Sequence, residues 1–199
     1  MKARIGLKAL LGSAALTVIS VSAAHALTFN GSFSLSGDYG STPRLTVLTN
    51  ASSGNFSFNL DVGQSTTFNL FHIFSNETNI NNPTTVAKSM LASLALVGGG
   101  TGTVNGATVA VRTNPTYYGQ VSWSGPIDVN FGKGGVVRFA LSNKTFNAGN
   151  FGLTTGSANG ADVQMTATYM VAPVPLPAAG LLLIGGLGAI AGLRRRKRA

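Results

Sequence analysis

The chain has no cysteine among its 199 residues. No disulfide can therefore cross-link the fold, and neither a thiol nucleophile nor a thiolate metal site can be built from this sequence. Charged residues make up only 10% of the chain, and there are only two histidines. Most hydrolytic and metal-dependent sites need several titratable side chains close together, so this composition argues against them.

The few titratable residues are also poorly placed for catalysis. His72 is flanked by Phe71 and Ile73, and we interpret it as a structural histidine with satisfied hydrogen bonds. The acidic residues are far apart in the sequence and include no calcium-binding loop: Asp38, Asp61, Glu77, Asp128 and Asp162. A glycoside hydrolase remains an alternative that needs two of these carboxylates to converge. The sequence predicts no enzyme, no metal and no cofactor.

The formal net charge of +9 is concentrated at the two ends of the chain. Lys2, Arg4 and Lys8 lie at the start, and five more basic residues occupy 194–198. The remainder carries six basic and five acidic side chains, so it is close to neutral. The high isoelectric point therefore reflects the ends of the chain, and it does not indicate a nucleic-acid-binding surface.

The N-terminus has the layout of a secretory signal peptide. Its basic start is followed by a predominantly apolar stretch over 9–24 and by the small-residue site Ala24-His25-Ala26. We expect signal peptidase to remove residues 1–26 and to leave Leu27 as the first residue of the exported protein. An uncleaved membrane anchor is the alternative interpretation.

The C-terminal segment 173–199 reads as three parts in order. Its proline-spaced start is Val174-Pro175-Leu176-Pro177-Ala178, followed by an uncharged apolar run over 178–193. Pro177 suits the first position of a helix, and sixteen helical residues span roughly 24 Å, just enough for a membrane crossing. The basic residues that follow would stay on the cytoplasmic side: Arg194, Arg195, Arg196, Lys197 and Arg198.

These three parts together resemble the PEP-CTERM sorting signal, in the VPLPA variant that has Leu176 where the commoner form has glutamate. The resemblance implies a Gram-negative bacterium with an exosortase, a membrane transpeptidase that recognises the motif and cuts near it. Proteins of this class are associated with the extracellular polysaccharide matrix and with biofilms. The final location would then be the cell surface or the matrix, after transient anchoring through 178–193. A plain single-pass anchor is the alternative.

Residues 27–172 have the length of one domain. Short runs of alternating apolar and polar residues are separated by glycine, asparagine, serine and proline, which favours many short strands. The segment 84–100 fits either a helix or a strand, and its context favours a strand. We predict an all-β fold, an antiparallel β-sandwich or jelly roll, followed by the single C-terminal transmembrane helix.

Two motifs within this domain suggest binding functions. Tyr117, Tyr118 and Trp123 could form a flat glycan platform, as in a lectin-like module, although such residues more often fill a sandwich core. The glycine-rich run over 98–106 lacks the lysine and the helix of a phosphate loop, so we interpret it as a turn. We expect a matrix or adhesion protein with exopolysaccharide as a candidate partner, and the alternatives are a carbohydrate-binding module and a plain membrane-anchored protein.

Overall fold

A computed structural model describes residues 26–42, 44–81 and 83–172, and these residues form eleven β-strands with two short 3-10 turns. The strands span almost all of the predicted domain and are β1 Leu27–Ser36, β2 Leu48–Thr49, β3 Ser53–Leu60, β4 Ser65–Phe74, β5 Lys88–Leu96, β6 Thr101–Thr113, β7 Thr116–Trp123, β8 Ile127–Phe131, β9 Gly135–Leu141, β10 Lys144–Asn150 and β11 Ala161–Val171. The 3-10 turns are Pro83–Thr85 and Ser157–Asn159.

The strands form two sheets that enclose one core. The six-stranded sheet has the order β10-β7-β6-β5-β1-β3, and the five-stranded sheet has the order β2-β4-β11-β9-β8. Every pairing is antiparallel. Aromatic rings meet across the gap, as Phe33 does with Phe71 and Phe58 with Phe139. The predicted all-β, antiparallel class is confirmed, in a sandwich-like arrangement.

The alternation in the sequence correctly predicts which side chains point inward. In β3, Phe56, Phe58 and Leu60 are buried while the intervening serine and asparagine side chains are exposed. The ambiguous segment 84–100 contains β5, whose alternate residues from Met90 to Leu96 are buried. Its period of two confirms the strand interpretation, because a helix would not place every second residue inside.

Strand β4 differs from the sequence expectation at one point. The alternation in TFNLFHIFSNE predicts Phe68, Leu70 and either His72 or Phe74 on one face and Phe71 and Ile73 on the opposite face. In the structure, Phe71 and Ile73 are buried, but Phe68 and Leu70 are partly buried and pack against the same core. The pairing with β11 skips Leu70, so β4 contains a bulge. A bulge shifts the alternation by one residue, which a simple period of two cannot show.

Glycine lies directly opposite a large ring at several cross-strand positions. At each of them the ring covers the glycine, and a Cβ atom there would collide with the aromatic side chain. Such coverage restores the packing that a strand loses at glycine. The pairs are Gly31 with Phe56, Gly54 with Phe33, Gly106 with Trp123, Gly119 with Phe146 and Gly135 with Phe131.

The two ends of the paired sheets differ in what they present. At one end, called the terminal end, Leu27 and Val171 lie with the connections 61–64, 97–100 and 132–134. Exposed apolar side chains collect there: Leu27, Val62, Val97, Met170 and Val171.

The opposite end, called the loop end, carries the longer connections 37–47, 75–87 and 151–160. Within 26–42, 44–81 and 83–172, no helix is long and apolar enough to cross a membrane. The predicted transmembrane helix 178–193, the sorting motif, the basic cluster and Ala24 lie outside these residues.

Candidate functional site at the loop end

Buried polar side chains hold the three connections of the loop end together. Lys88 begins β5 and is 3% exposed, and its Nζ donates to the carbonyl of Leu45 at 3.1 Å and to that of Ser41. Burial lowers the pKa of Lys88, and the carboxylates of Asp38 and Glu77 act in the opposite direction. Lys88 therefore fixes the connection 37–47 against the start of β5.

Asn147 is the second buried anchor of the loop end. It is fully buried in β10 with φ 52°, a left-handed conformation that asparagine tolerates better than most residues. Its Oδ1 accepts from the backbone N–H of Ser75 at 2.8 Å, and its Nδ2 donates to the carbonyls of Thr154 and Gly156. One amide side chain thereby joins the connections 75–87 and 151–160.

A polar cleft of about 330 Å³ opens beside this network. Amides, hydroxyls and one carboxylate line it: Asn76, Glu77, Thr78, Asn79, Asn81 and Thr84. The Oε1 atom of Glu77 accepts from the N–H of Thr46 at 2.8 Å, so this carboxylate has a structural partner. The cleft can bind a hydroxylated ligand through hydrogen bonds, and its described lining supplies one carboxylate.

Phe151 projects from the loop end near this cleft. Its side chain is 74% exposed, and its φ of 59° is unusual for a bulky residue. The N–H of Phe151 donates to the carbonyl of Pro115 at 2.8 Å, and the N–H of Leu153 donates to that of Thr78 at 2.8 Å. These bonds hold an exposed aromatic ring next to the polar connection 75–87. Sequence reasoning missed it, although glycine two positions before it and directly after it indicates a tight turn.

The predicted glycan platform is divided between two faces of β7. Trp123 points into the core, is 8% exposed and contacts Phe71 edge to face at 6.3 Å. Tyr117 lies on the same side and packs against the core, with the Arg112 guanidinium 5.3 Å from its ring centre. Tyr118 is on the opposite side of the strand. The three rings therefore do not form one continuous surface.

His72 has a hydrogen-bonding partner at each ring nitrogen. Its Nδ1 lies 2.7 Å from Oδ1 of Asp162, and its Nε2 lies 2.9 Å from the carbonyl oxygen of Ser157. Asn69 donates to the other carboxylate oxygen of Asp162 at 3.0 Å. In the described ranges, no group of three or more histidine and acidic side chains could hold a metal ion. The contacts of His72 join β4, β11 and the turn at 157–159, as a structural histidine would.

The glycine-rich run 98–106 forms a turn and the beginning of β6. In that turn, the N–H of Gly100 donates to the carbonyl of Asn130 at 2.7 Å, and Gly99 forms a bridge with Phe131. The run therefore connects the two sheets at the terminal end.

No protein-family model matches the sequence, no curated protein matches it, and no solved structure matches the fold.

Proposed function

We propose that this chain is an exported bacterial surface protein whose domain 27–172, an antiparallel β-sandwich, has a structural or adhesive role in the extracellular polysaccharide matrix. Signal peptidase acts after Ala26, and an exosortase recognises Val174–Ala178 and removes the tail. The apolar segment 178–193 forms the transmembrane helix that holds the protein before processing. The proposed role is not enzymatic and uses no cofactor.

The observation that carries this proposal is the fit between the strands and the predicted processing sites. Strand β1 begins at Leu27, and β11 ends at Val171, just before the segment 173–199. Cleavage at both sites would therefore release the complete set of described strands.

The terminal end supports the same proposal. Leu27 and Val171 lie at the same end of the sandwich, so a membrane tether at 178–193 would turn the loop end away from the bilayer. The polar cleft and Phe151 would then face the matrix. The exposed apolar side chains of the terminal end, such as Val62 and Val97, would lie towards the membrane.

Mass spectrometry of the surface fraction tests the sorting proposal. In a host with an exosortase, we expect a mature C-terminus within 172–178 and no peptide that contains 194–198. Replacing both Pro175 and Pro177 by alanine should block cleavage, whereas Pro173→Ala, just outside the motif, should be processed normally. An intact tail on the wild-type surface protein would identify a plain anchor instead.

Carbohydrate binding at the loop end is the second candidate function. The exposed ring of Phe151 offers an apolar face on which a sugar ring can stack, and the adjacent cleft supplies amide and hydroxyl groups. This location differs from the platform predicted at Tyr117, Tyr118 and Trp123.

Binding of purified exopolysaccharide to the folded protein tests this second candidate. We expect Phe151→Ala to weaken binding, and Val86→Ala, another exposed apolar residue of the loop end, to leave it unchanged. A loss with Tyr118→Ala alone would favour the original platform. Trp123→Ala is a poor probe because this buried residue supports the core. Equal binding by all these variants would contradict both glycan sites.

A further inference from the structure

The four strands at the edges of the two sheets are not equally protected. Exposed edges carry unpaired backbone groups that can pair with another chain, and proteins usually block them with charge, bulges, short strands or covering loops. The edge strands are β2, β3, β8 and β10. Comparing their protection identifies the edge that is available for pairing.

Three of these edges are blocked. Strand β2 has only two residues, Leu48–Thr49. The N–H of Gly100 covers β8 by bonding to Asn130, and β8 also carries the charged Asp128. Strand β10 contains a bulge between Phe146 and Gly149, and the connection 151–156 folds over it through bonds from Thr154 to Asn147 and Ala148.

Strand β3 has none of these protections. It pairs with β1 over eight residues without a register shift, and its sequence SGNFSFNL contains no charge and no proline. Among residues 26–42, 44–81 and 83–172, the strand partner found for β3 is β1 alone. Its outward-facing side chains are short and uncharged: Ser53, Asn55, Ser57 and Asn59.

We propose that β3 is a self-association surface, at which a second copy of this chain adds its own β3 in antiparallel orientation and extends the six-stranded sheet. This inference is independent of export and sorting. A second copy is favoured over a different partner because β3 carries no charged side chain that would select a foreign strand, and the open depression of about 450 Å³ beside it is lined by Asn30, Asn55 and Ser57, whose amides and hydroxyl match the outward residues of β3 itself. Its outward serine and asparagine side chains can hydrogen-bond to their own kind across a twofold axis.

The alternation of β3 restricts the register of this pairing. Residues directly opposite each other share a face of the sheet, so outward residues must oppose outward residues if Phe56 and Phe58 are to stay in both cores. A twofold axis satisfies this condition near the middle of β3 in two ways. Centred at Phe56, it places Asn55 opposite Ser57 of the second copy. Centred at Ser57, it places Ser57 opposite itself.

A charge placed on this edge provides the first test. In purified, unglycosylated full-length protein, Ser57→Lys puts a lysine at the centre of one register and one residue from the centre of the other, and we expect it to weaken dimer formation by about tenfold. Asn30→Lys is the matched control, because Asn30 is exposed on β1 directly opposite Ser57 and adds the same charge away from the edge. Analytical ultracentrifugation measures the dimer dissociation constants of both variants and of the natural chain. The proposal is overturned if Ser57→Lys associates as strongly as the natural chain. This holds whether or not the segment 173–199 also contributes to association.

Site-specific cross-linking provides the second test, since the natural chain has no cysteine. With a short thiol cross-linker, the Ser57-centred register predicts that Ser57→Cys links to itself. The Phe56-centred register predicts that Asn55→Cys links to Ser57→Cys when the two variants are mixed. Asn30→Cys should link in neither experiment. If no β3 position cross-links above the Asn30→Cys level, the self-association surface is refuted.

Discussion

Gly106→Ala should destabilise the protein although it adds only one methyl group. A Cβ atom at Gly106 would lie 2.5 Å from Cε3 and 2.7 Å from Cζ3 of Trp123, and 2.9 Å from the carbonyl oxygen of Met90. Trp123 is held by the core, and Met90 belongs to the paired backbone of β5. Neither neighbour can withdraw without disturbing the packing around it.

The expected size of this effect follows from two opposing terms. Overpacking a core typically costs about 1–3 kcal/mol. Replacing glycine by alanine restricts the unfolded chain and returns about 0.4–1 kcal/mol. We therefore expect a net loss of about 1–2 kcal/mol in the free energy of unfolding, and each kcal/mol lowers the melting temperature of a domain of this size by roughly 2–4 °C.

Thermal unfolding followed by circular dichroism and tryptophan fluorescence measures this loss, and Trp123 is the only tryptophan in the chain. Gly40→Ala is the matched control, because its added Cβ would have its nearest neighbour at 3.8 Å. The same substitution is also made in a Trp123→Leu variant. There Gly106→Ala should lower the free energy of unfolding by a smaller amount, because the opposing ring is gone. If Gly106→Ala is as harmless as Gly40→Ala, or costs the same in both backgrounds, the packing argument is wrong.

Three further perturbations test the polar network and the charge pairs. Asn147→Ala should lower the free energy of unfolding by about 2–4 kcal/mol in denaturant titrations, because it leaves the N–H of Ser75 unpaired and places alanine at a positive φ. Arg138 holds the pKa of Asp128 below its ordinary value, so the stability that this pair contributes should be lost as the pH falls through the ordinary aspartate pKa towards the lowered one. Asp128→Asn should reduce the fall in melting temperature over this acidic pH range, and an unchanged fall would contradict the role of the Asp128–Arg138 pair. Burial lowers the pKa of the Lys88 ammonium group, so as the pH rises the folded state loses this proton at a lower pH than the unfolded state does. The free energy of unfolding should therefore increase with pH between the two pKa values, and Lys88→Met should lack that increase.

The sequence contains enough information for the fold class because its strands obey a simple alternation. In β9, Val137, Phe139 and Leu141 are buried, and the intervening Arg138 is exposed. Glycine and asparagine clusters correctly indicate the separating turns. This pattern requires no knowledge of which strands pair.

Strand β10 could not be predicted by the same reasoning. Its sequence KTFNAGN contains one large apolar residue, Phe146, and its other buried side chain is the polar Asn147. The bulge breaks the alternation, and the bonding partners of Asn147 lie in distant connections. Only the tertiary structure shows that an asparagine here belongs to the core.

The possible glycan platform at Tyr117, Tyr118 and Trp123 shows why residue type alone does not locate a binding surface. Tyr117 and Trp123 are candidate glycan contacts because they are aromatic, but as the second and eighth residues of β7 they lie on its inner face. Phe151 lies outside any strand, in a turn where its φ is positive and its side chain is exposed. Residue type indicated suitable chemistry, whereas the position in each strand or turn determined which ring reaches solvent.

The central position of β11 gives the domain a direction of mechanical resistance. Strand β11 ends at the terminal end at Val171, and it is paired with β4 on one side over 161–168 and with β9 on the other over 165–171. A pull on Val171 against a grip at the loop end acts parallel to these strands, so it loads both hydrogen-bonded ladders in shear. Many backbone bonds must then break together, whereas a force that peeled an edge strand would break them one after another. The domain is therefore arranged to resist stretching along the line from Val171 to the loop end.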